Sequence, residues 1–95
     1  MTEFEWDEEK AGLNERKHGV LFEKATEVFD DKLAVYRQNR IVDGEERWQV
    51  TGMTSDNRLL LRIIYTTREE GEQEIIRIIS ARRAKGKEIR QYEHG

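Results

Sequence analysis

The chain has 95 residues, of which 39% are charged, and a formal net charge of −3 at pH 7. This length predicts one domain spanning residues 1–95. The absence of cysteine excludes disulfides and thiolate zinc sites. No apolar run approaches the ~18 residues that a membrane span needs, and the acidic N-terminus is unlike a signal peptide. We therefore expect a cytoplasmic protein without a membrane partner.

Two helices are predicted near the N-terminus. The first has an N-cap at Asp7, runs to about His18, and ends at Gly19 in the C′ position. By their spacing, four polar residues of this helix share one face: Lys10, Asn14, Lys17 and His18. The second helix spans 20–29 and is expected to bury Phe22, Ala25, Val28 and Phe29.

Four strands are predicted to follow, at 33–36, 47–53, 58–67 and 73–81. The polar segment 38–45, which contains a glycine, is predicted to be a loop, and the turns lie at 54–57 and 68–72. A basic helix over 83–92 closes the chain. The predicted fold is therefore α+β, with two N-terminal helices, a four-stranded, mainly antiparallel sheet and a C-terminal helix.

The charges are unevenly distributed along the chain. Residues 1–31 hold ten acidic and four basic residues, whereas residues 32–95 hold ten acidic and thirteen basic ones. The segment 77–90 alone has six basic residues and one acidic residue. This pattern predicts a local anion-binding site rather than a general coat for polyanions. The alternative is an ordinary solvated surface with no partner.

Arg77 is the most unusual residue, because it interrupts the four isoleucines of the last predicted strand. A run of β-branched residues is typical of a central strand, where a guanidinium is costly unless it is paired or faces a polar groove. Two interpretations remain open. Either one face of the sheet is open and functional, or Arg77 has an acidic partner such as Asp7, Glu23 or another N-terminal acid.

The sequence positions of Arg77 and Arg82 differ by an odd number, which limits how the two side chains can meet. In an ideal strand they point to opposite faces. They converge on one face only if the strand ends or bulges near Ser80-Ala81.

His18 and the arginines on and after the last strand suit phosphodiester chemistry. Guanidinium groups bind phosphate bidentately and stabilise developing negative charge, and an imidazole can move a proton near neutral pH. Each residue also has a structural alternative: His18 can cap a helix end, and Arg82 and Arg83 can be surface charges. Trp6 and Trp48 are expected to pack in the core rather than stack on bases.

Three blocks resemble the BrnT family of toxins: Phe4-Glu5-Trp6-Asp7, Arg16-Lys17-His18-Gly19-Val20, and Arg77-Ile78-Ile79-Ser80-Ala81-Arg82-Arg83-Ala84. The resemblance covers nearly the whole chain. It implies a RelE-like fold and a ribonuclease that arrests translation. It also implies neutralisation by a BrnA-like antitoxin. The antitoxin would bind operator DNA, and the toxin would be brought to that DNA only as part of the complex. The residues it implicates are Lys17, His18, Arg77, Ser80 and Arg82.

Two functions are therefore compatible with the sequence. The first is a metal-independent endoribonuclease that needs no cofactor and cleaves RNA by attack of the 2′-OH. Its expected catalytic residues are His18, Arg77 and Arg82. Its expected RNA-binding residues are Lys10, Lys17, Ser80, Arg83 and Lys85. The alternative is a non-catalytic module whose basic groove binds a protein or a nucleic acid without turnover.

Overall fold

The computed structural model describes residues 1–94, and Gly95, the last residue of the predicted domain, lies outside them. In chain order the elements are β1 (Thr2–Glu5), α1 (Glu8–His18), α2 (Phe22–Ala25), a 3₁₀ helix (Thr26–Asp30), β2 (Val35–Val42), β3 (Glu45–Met53), β4 (Leu60–Glu70), β5 (Gln73–Arg83) and α3 (Gly86–His94). The predicted α+β class is confirmed. Within the described residues, no helix is long and apolar enough to span a bilayer.

The sheet has five strands in the order β1-β5-β4-β3-β2, so the prediction of four strands was wrong. β1 pairs in parallel with β5, with Thr2 opposite Glu74 and Glu5 opposite Arg77. The other neighbouring pairs are antiparallel. The sequence gives little sign of β1, because the strand is four residues long and its partner lies at the other end of the chain. The sheet is therefore mixed, and the N-terminus forms one of its edges.

The predicted loop over 38–45 is also wrong, because β2 continues to Val42. β2 and β3 are joined by a two-residue turn in which Asp43 and Gly44 have φ values of 51° and 79°. Positive φ at both central positions is typical of a type I′ hairpin turn, for which Asp-Gly is a favoured sequence. β2 is an edge strand with mostly exposed side chains, so it shows no alternation of apolar and polar residues.

The helices agree with the prediction in place but not in every boundary. The Asp7 side chain accepts hydrogen bonds from the N–H groups of Glu9 and Lys10, and Gly19 has a φ of 69°, as expected at the two ends of α1. The second helix is shorter than predicted and gives way to the 3₁₀ helix. β4 extends to Glu70 and β5 to Arg83, so α3 begins only at Gly86.

The core lies between one face of the sheet and the segment formed by α2 and the 3₁₀ helix. Phe22, Ala25 and Val28 are each 1% exposed or less. They belong to one buried cluster with sheet residues Val50, Leu61, Ile63, Tyr65, Ile76, Ile78 and Ala81. Trp6, Trp48 and Phe29 pack against this cluster while partly exposed, which agrees with a core role for the tryptophans. We call the opposite side of the sheet the outer face, and it carries Arg62, Arg77, Ser80 and Arg82.

Candidate functional site

A β-bulge in β5 brings the predicted site residues of this strand to one face. Ser80 lies opposite Ile64 and Ile78 lies opposite Tyr65, which leaves Ile79 without a partner on β4. Ile78 and Ala81 both belong to the core, so Arg77, Ser80 and Arg82 all lie on the outer face. This is the irregularity required for Arg77 and Arg82 to share a face.

α1 adds its polar side to the same region, because Asn14 attaches the helix to the edge of β5. Asn14 is 8% exposed, and its Nδ2 donates to the carbonyl oxygens of Val20 and Ala81 at 3.1 and 2.8 Å. The Ala81 N–H donates back to Asn14 Oδ1 at 3.1 Å. β1 covers the β5 edge only as far as Arg77, and Asn14 takes over beyond it. The outcome is a shallow depression lined by Lys10, Leu13, Asn14, Lys17, His18, Ile79 and Ser80.

His18 is partly buried at the end of α1, and its pKa is lowered from the ordinary value. Burial is the largest cause, and the positive charges of nearby side chains act in the same direction: Lys17, Arg62, Arg82 and Lys85. The imidazole is therefore held neutral at a pH where it would otherwise begin to bind a proton. A neutral imidazole surrounded by cations is suited to accept a proton from a ligand that brings negative charge.

Arg62 on β4 lies opposite Arg82 and was not included in the sequence-based prediction. Its Nη2 donates to Ser80 Oγ at 3.3 Å, while its Nε is buried and has no hydrogen-bond partner within residues 1–94. Burial and the charge of Arg82 lower the pKa of Arg62. The sequence feature that could have identified Arg62 is the one that singled out Arg77: a lone arginine in an apolar strand. A buried guanidinium with one unsatisfied donor and no carboxylate partner is costly, so Arg62 is a candidate for binding an anionic ligand.

A cleft of about 360 Å³ opens beside Arg62 on the outer face. Arg47 on β3 contributes a second buried Nε that lacks a hydrogen-bond partner among the described residues, and the nearest Glu45 oxygen is 3.9 Å away. The cleft is lined by Asn39, Arg40, Arg47, Arg62, Ile64, Ile79 and Ser80. Its charged lining residues are all arginines, so the cleft is complementary to a phosphate group.

Arg82 is held by a carboxylate rather than left free. Its two Nη atoms donate to the two oxygens of Glu88 at 2.8 and 2.9 Å, and the Lys85 N–H donates to the same carboxylate at 2.8 Å. Burial alone would raise the pKa of Glu88, but these hydrogen bonds outweigh it, and the pKa is lowered. The pair is more than four-fifths buried, so it fixes the start of α3 next to the outer face.

Arg77 lies on the outer face but in a different group of side chains. Its Nη1 donates to Glu5 Oε2 at 3.0 Å, and Arg68 binds both oxygens of the same carboxylate at 2.8 and 2.9 Å. The hydrogen bonds from Arg68 and Arg77 lower the pKa of Glu5 to about 2. An N-terminal acid does therefore pair with Arg77, but it is Glu5 and not Asp7 or Glu23. Arg77 lines another cleft, with Trp48, Thr66 and Arg68 among its neighbours.

The structure thus divides the predicted site residues. Lys10, Lys17, His18 and Ser80 line one depression, and the charges of Arg82 and Lys85 act on His18. Arg77 is in the Glu5 cluster, and Arg83 lies opposite Leu61, whose side chain is in the core, so Arg83 is on the other face. No group of three or more His, Cys, Asp or Glu side chains in residues 1–94 is arranged to hold a metal ion.

Taken together, the outer face combines a neutral imidazole, a serine hydroxyl and two arginines whose buried Nε atoms have no hydrogen-bond partner within residues 1–94. This combination can bind a phosphodiester and move a proton next to it. No curated protein matches the chain. A family model described as "Ribonuclease toxin, BrnT, of type II toxin-antitoxin system" matches residues 6–88, which include α1 and the whole sheet except β1. The chain therefore belongs to the BrnT family of ribonuclease toxins of type II toxin–antitoxin systems.

Proposed function

We propose that this chain is a metal-independent endoribonuclease whose active site is the outer face between α1, β4 and β5. It acts in the cytoplasm on RNA and arrests translation, and residues 1–95 form one toxin domain with a RelE-like architecture. The observation that supports this proposal best is the neutral His18 next to Arg62, whose buried Nε lacks an acceptor within residues 1–94.

In the proposed reaction, His18 accepts the proton of the ribose 2′-OH, and the 2′-oxygen attacks the adjacent phosphorus. The bond to the 5′-oxygen breaks and this oxygen takes a proton from water, while His18 returns its proton to solvent. The products are a 2′,3′-cyclic phosphate and a free 5′-OH. Arg62 binds the phosphate oxygens and stabilises the extra negative charge of the phosphorane. Ser80 orients Arg62 through their 3.3 Å hydrogen bond. Lys10, Lys17 and Lys85 bind the neighbouring backbone phosphates.

Arg82 and Arg77 receive different roles in this proposal. Arg82 contributes positive charge near His18 and positions α3 through Glu88, so it remains part of the site. Arg77 is already bound to Glu5 and connects β1 to β5, so its role is structural. Arg83 is exposed on the other face and is not placed in the site.

The partner in this proposal is a BrnA-like antitoxin that covers the basic outer face and neutralises the toxin. Operator DNA is bound only through the antitoxin. A partner that binds the native toxin also stabilises it. This stabilisation is important here because a chain of 95 residues can bury only a small core.

A second function stays open because of one observation. Two of the three arginines singled out from the sequence, Arg77 and Arg82, are already paired with carboxylates. With these two guanidinium groups occupied, fewer are left to stabilise the charge of a transition state, while the remaining basic residues of the outer face can still bind an acidic segment or a nucleic acid without turnover. This alternative predicts tight binding of RNA and no cleavage.

Purified protein and defined RNA distinguish the two functions. We expect cleavage in EDTA to products ending in 2′,3′-cyclic phosphate, identified by mass spectrometry. We expect His18→Ala and Arg62→Gln to reduce the rate by at least about 100-fold, a typical contribution of such groups. Arg58→Gln, which removes an exposed arginine from the turn before β4, is the control. Cleavage only with a divalent ion would overturn the metal-independent mechanism, and binding without cleavage would favour the alternative.

A further inference from the structure

An aromatic cavity of about 550 Å³ lies on the opposite side of the sheet from the outer face, and the proposed ribonuclease site does not use it. Residues of all five strands and of the 3₁₀ helix line it. Five of the lining side chains are aromatic: Phe4, Phe29, Tyr36, Trp48 and Tyr65. We call it the aromatic cavity.

The interior of the aromatic cavity is held in place by packed rings. The ring centroid of Phe29 is 5.3 Å from that of Phe4 and 5.1 Å from that of Tyr65, with an edge-to-face angle of 81° to the latter. Tyr36 is instead 51% exposed on the edge strand β2. The cavity therefore has a preformed floor and an aromatic side chain at its mouth.

The charges at the aromatic cavity are negative. Asp30 and Glu74 line it, and none of its lining residues is basic. Burial raises the pKa of Tyr65 to about 12, and the charges of Tyr36 and Glu74 act in the same direction. Burial, with the charges of Asp31, Glu74 and Asp30, also raises the pKa of Tyr36. Aromatic faces next to carboxylates attract a cation, and the guanidinium of arginine in particular.

The position of Tyr36 indicates how a cationic side chain would enter the aromatic cavity. β2 is the last strand of the sheet, so its second edge is not paired with any strand within residues 1–94. Tyr36 lies opposite Val50, a core residue, and thus points toward the cavity side of the sheet. Side chains directly opposite each other on neighbouring strands lie on the same face. A peptide strand added to β2 would therefore place one side chain next to Tyr36, across the mouth of the cavity.

From this arrangement we infer that the aromatic cavity and the free edge of β2 form a docking site for an extended basic segment of a partner protein. The segment pairs with β2 and places an arginine or lysine side chain between Tyr36, Trp48 and Glu74. The site is separate from the ribonuclease site, because it lies on the other face of the sheet. Charge complementarity favours this occupant: the cavity is acidic, whereas the outer face is basic and suits an anion.

A peptide titration of the full chain tests this site. The probe is a capped peptide, Val-Thr-Arg-Thr-Val, compared with the same peptide carrying the uncharged citrulline at the centre. Amide and indole signals of the ¹⁵N-labelled protein are followed by NMR. We expect shifts at Trp48 and along β2, and a Kd for the arginine peptide at least about 5-fold lower than for the citrulline peptide.

Variants then tie the binding to the cavity. Tyr36→Ala and Glu74→Gln should each weaken the arginine peptide by about 5-fold. Glu72→Gln is the matched control, because Glu72 is exposed and lies two residues from Glu74 but does not line the cavity. This variant should bind the arginine peptide as tightly as the unmodified chain does. If Tyr36→Ala fails to fold, Glu74→Gln decides the question, because its side chain is exposed.

Three results would overturn the proposal. The first is equal affinity for the arginine and citrulline peptides. The second is a set of shifts confined to the outer face, around Arg62 and Ser80. The third is that methylguanidinium binds as tightly as the peptide, which would indicate a small-cation site rather than a protein-docking site. RNA cleavage by Tyr36→Ala should be unchanged, so a failure of the ribonuclease proposal and a failure of this one are distinguished.

Discussion

Asn14 on α1 and Ala81 on β5 form reciprocal hydrogen bonds: the Ala81 N–H donates to Asn14 Oδ1 at 3.1 Å, and Asn14 Nδ2 donates to the Ala81 carbonyl oxygen at 2.8 Å. The amide side chain thus occupies the place that a neighbouring strand would take. Because α1 carries Lys10, Lys17 and His18, this pair sets the position of half of the candidate site relative to the other half.

Replacing Asn14 with alanine should therefore cost both stability and activity. The substitution leaves the Ala81 N–H, the Ala81 carbonyl and the Val20 carbonyl without their partner. We expect the free energy of unfolding to fall by about 2–4 kcal/mol, since buried polar groups lose their hydrogen bonds. Urea denaturation measures this change. Gln38→Ala, which removes an amide from an exposed position, should change the same quantity little, and an equal loss in both variants would contradict the role of Asn14.

The pKa of His18 should respond to its cationic neighbours. After burial, the charge of Lys17 is the largest cause that lowers this pKa. Lys17→Gln should therefore move the midpoint of the His18 ring-proton titration, followed by NMR, to higher pH. Arg16→Gln removes the neighbouring exposed charge on α1, which is not among the causes that act on His18, and should leave the midpoint in place.

The pH dependence of RNA cleavage follows from the same shift. A general base works in its neutral form, so the rate should rise with pH through the pKa of His18. Because this pKa is lowered, the rising limb should lie below pH 6.5, the ordinary histidine value, and Lys17→Gln should move the limb toward higher pH. A limb at or above pH 6.5 in the unmodified chain would argue against His18 as the base.

Arg62 is expected to favour function at the expense of stability. Its Nε is buried without a hydrogen-bond partner in the described residues, and its one hydrogen bond there is to the neutral Ser80 hydroxyl, so the folded chain carries a buried charge that is only partly satisfied. Arg62→Met should raise the free energy of unfolding by about 1 kcal/mol while it abolishes RNA cleavage. Denaturation and cleavage assays on the same preparation test both effects. A variant that is less stable and inactive would show instead that Arg62 mainly supports the fold.

Glu5 should make the stability of the chain depend on acid pH. Its folded-state pKa is about 2, below the ordinary value of 4.5, because Arg68 and Arg77 donate to it. Its contribution to stability should be complete above pH 4.5 and should be lost as the pH falls toward 2. Urea denaturation of the unmodified chain and of Glu5→Gln should therefore differ most near neutral pH and converge near pH 2. Glu3→Gln, on the same face of β1, is the matched control and should show a smaller difference at neutral pH.

The parts of the fold that the sequence predicted well are those with local signals. Asp7 and Gly19 mark the ends of α1 by capping, and the isoleucine run marks β5 by β-branching. β1 was not predicted because its pairing partner is distant in sequence. The β2–β3 hairpin was not predicted because the exposed side chains of β2 hide the strand, although Asp43-Gly44 was a usable signal.

The candidate site was predicted only in part for a similar reason. Arg62 and Arg77 have the same sequence signature, a single arginine within an apolar strand. Only the pairing of the strands shows that Arg77 meets Glu5, whereas Arg62 keeps a buried Nε that has no acceptor in the part of the chain that the structure describes. The sequence pattern identified the kind of residue, and the three-dimensional neighbours determine which arginine is available to a ligand.

The way in which α1 covers β5 also affects how copies of this chain meet. β1 and then Asn14 occupy the open side of β5, so that border of the sheet offers no continuous row of free backbone groups to a second molecule. The opposite border, β2, is not paired with any strand within residues 1–94, and it is the border on which we expect the basic segment of a partner to dock. On the β1 border, a second copy of the chain could pair only with the four residues Thr2–Glu5, so this side of the sheet gives little support for association between copies in a concentrated solution of the toxin.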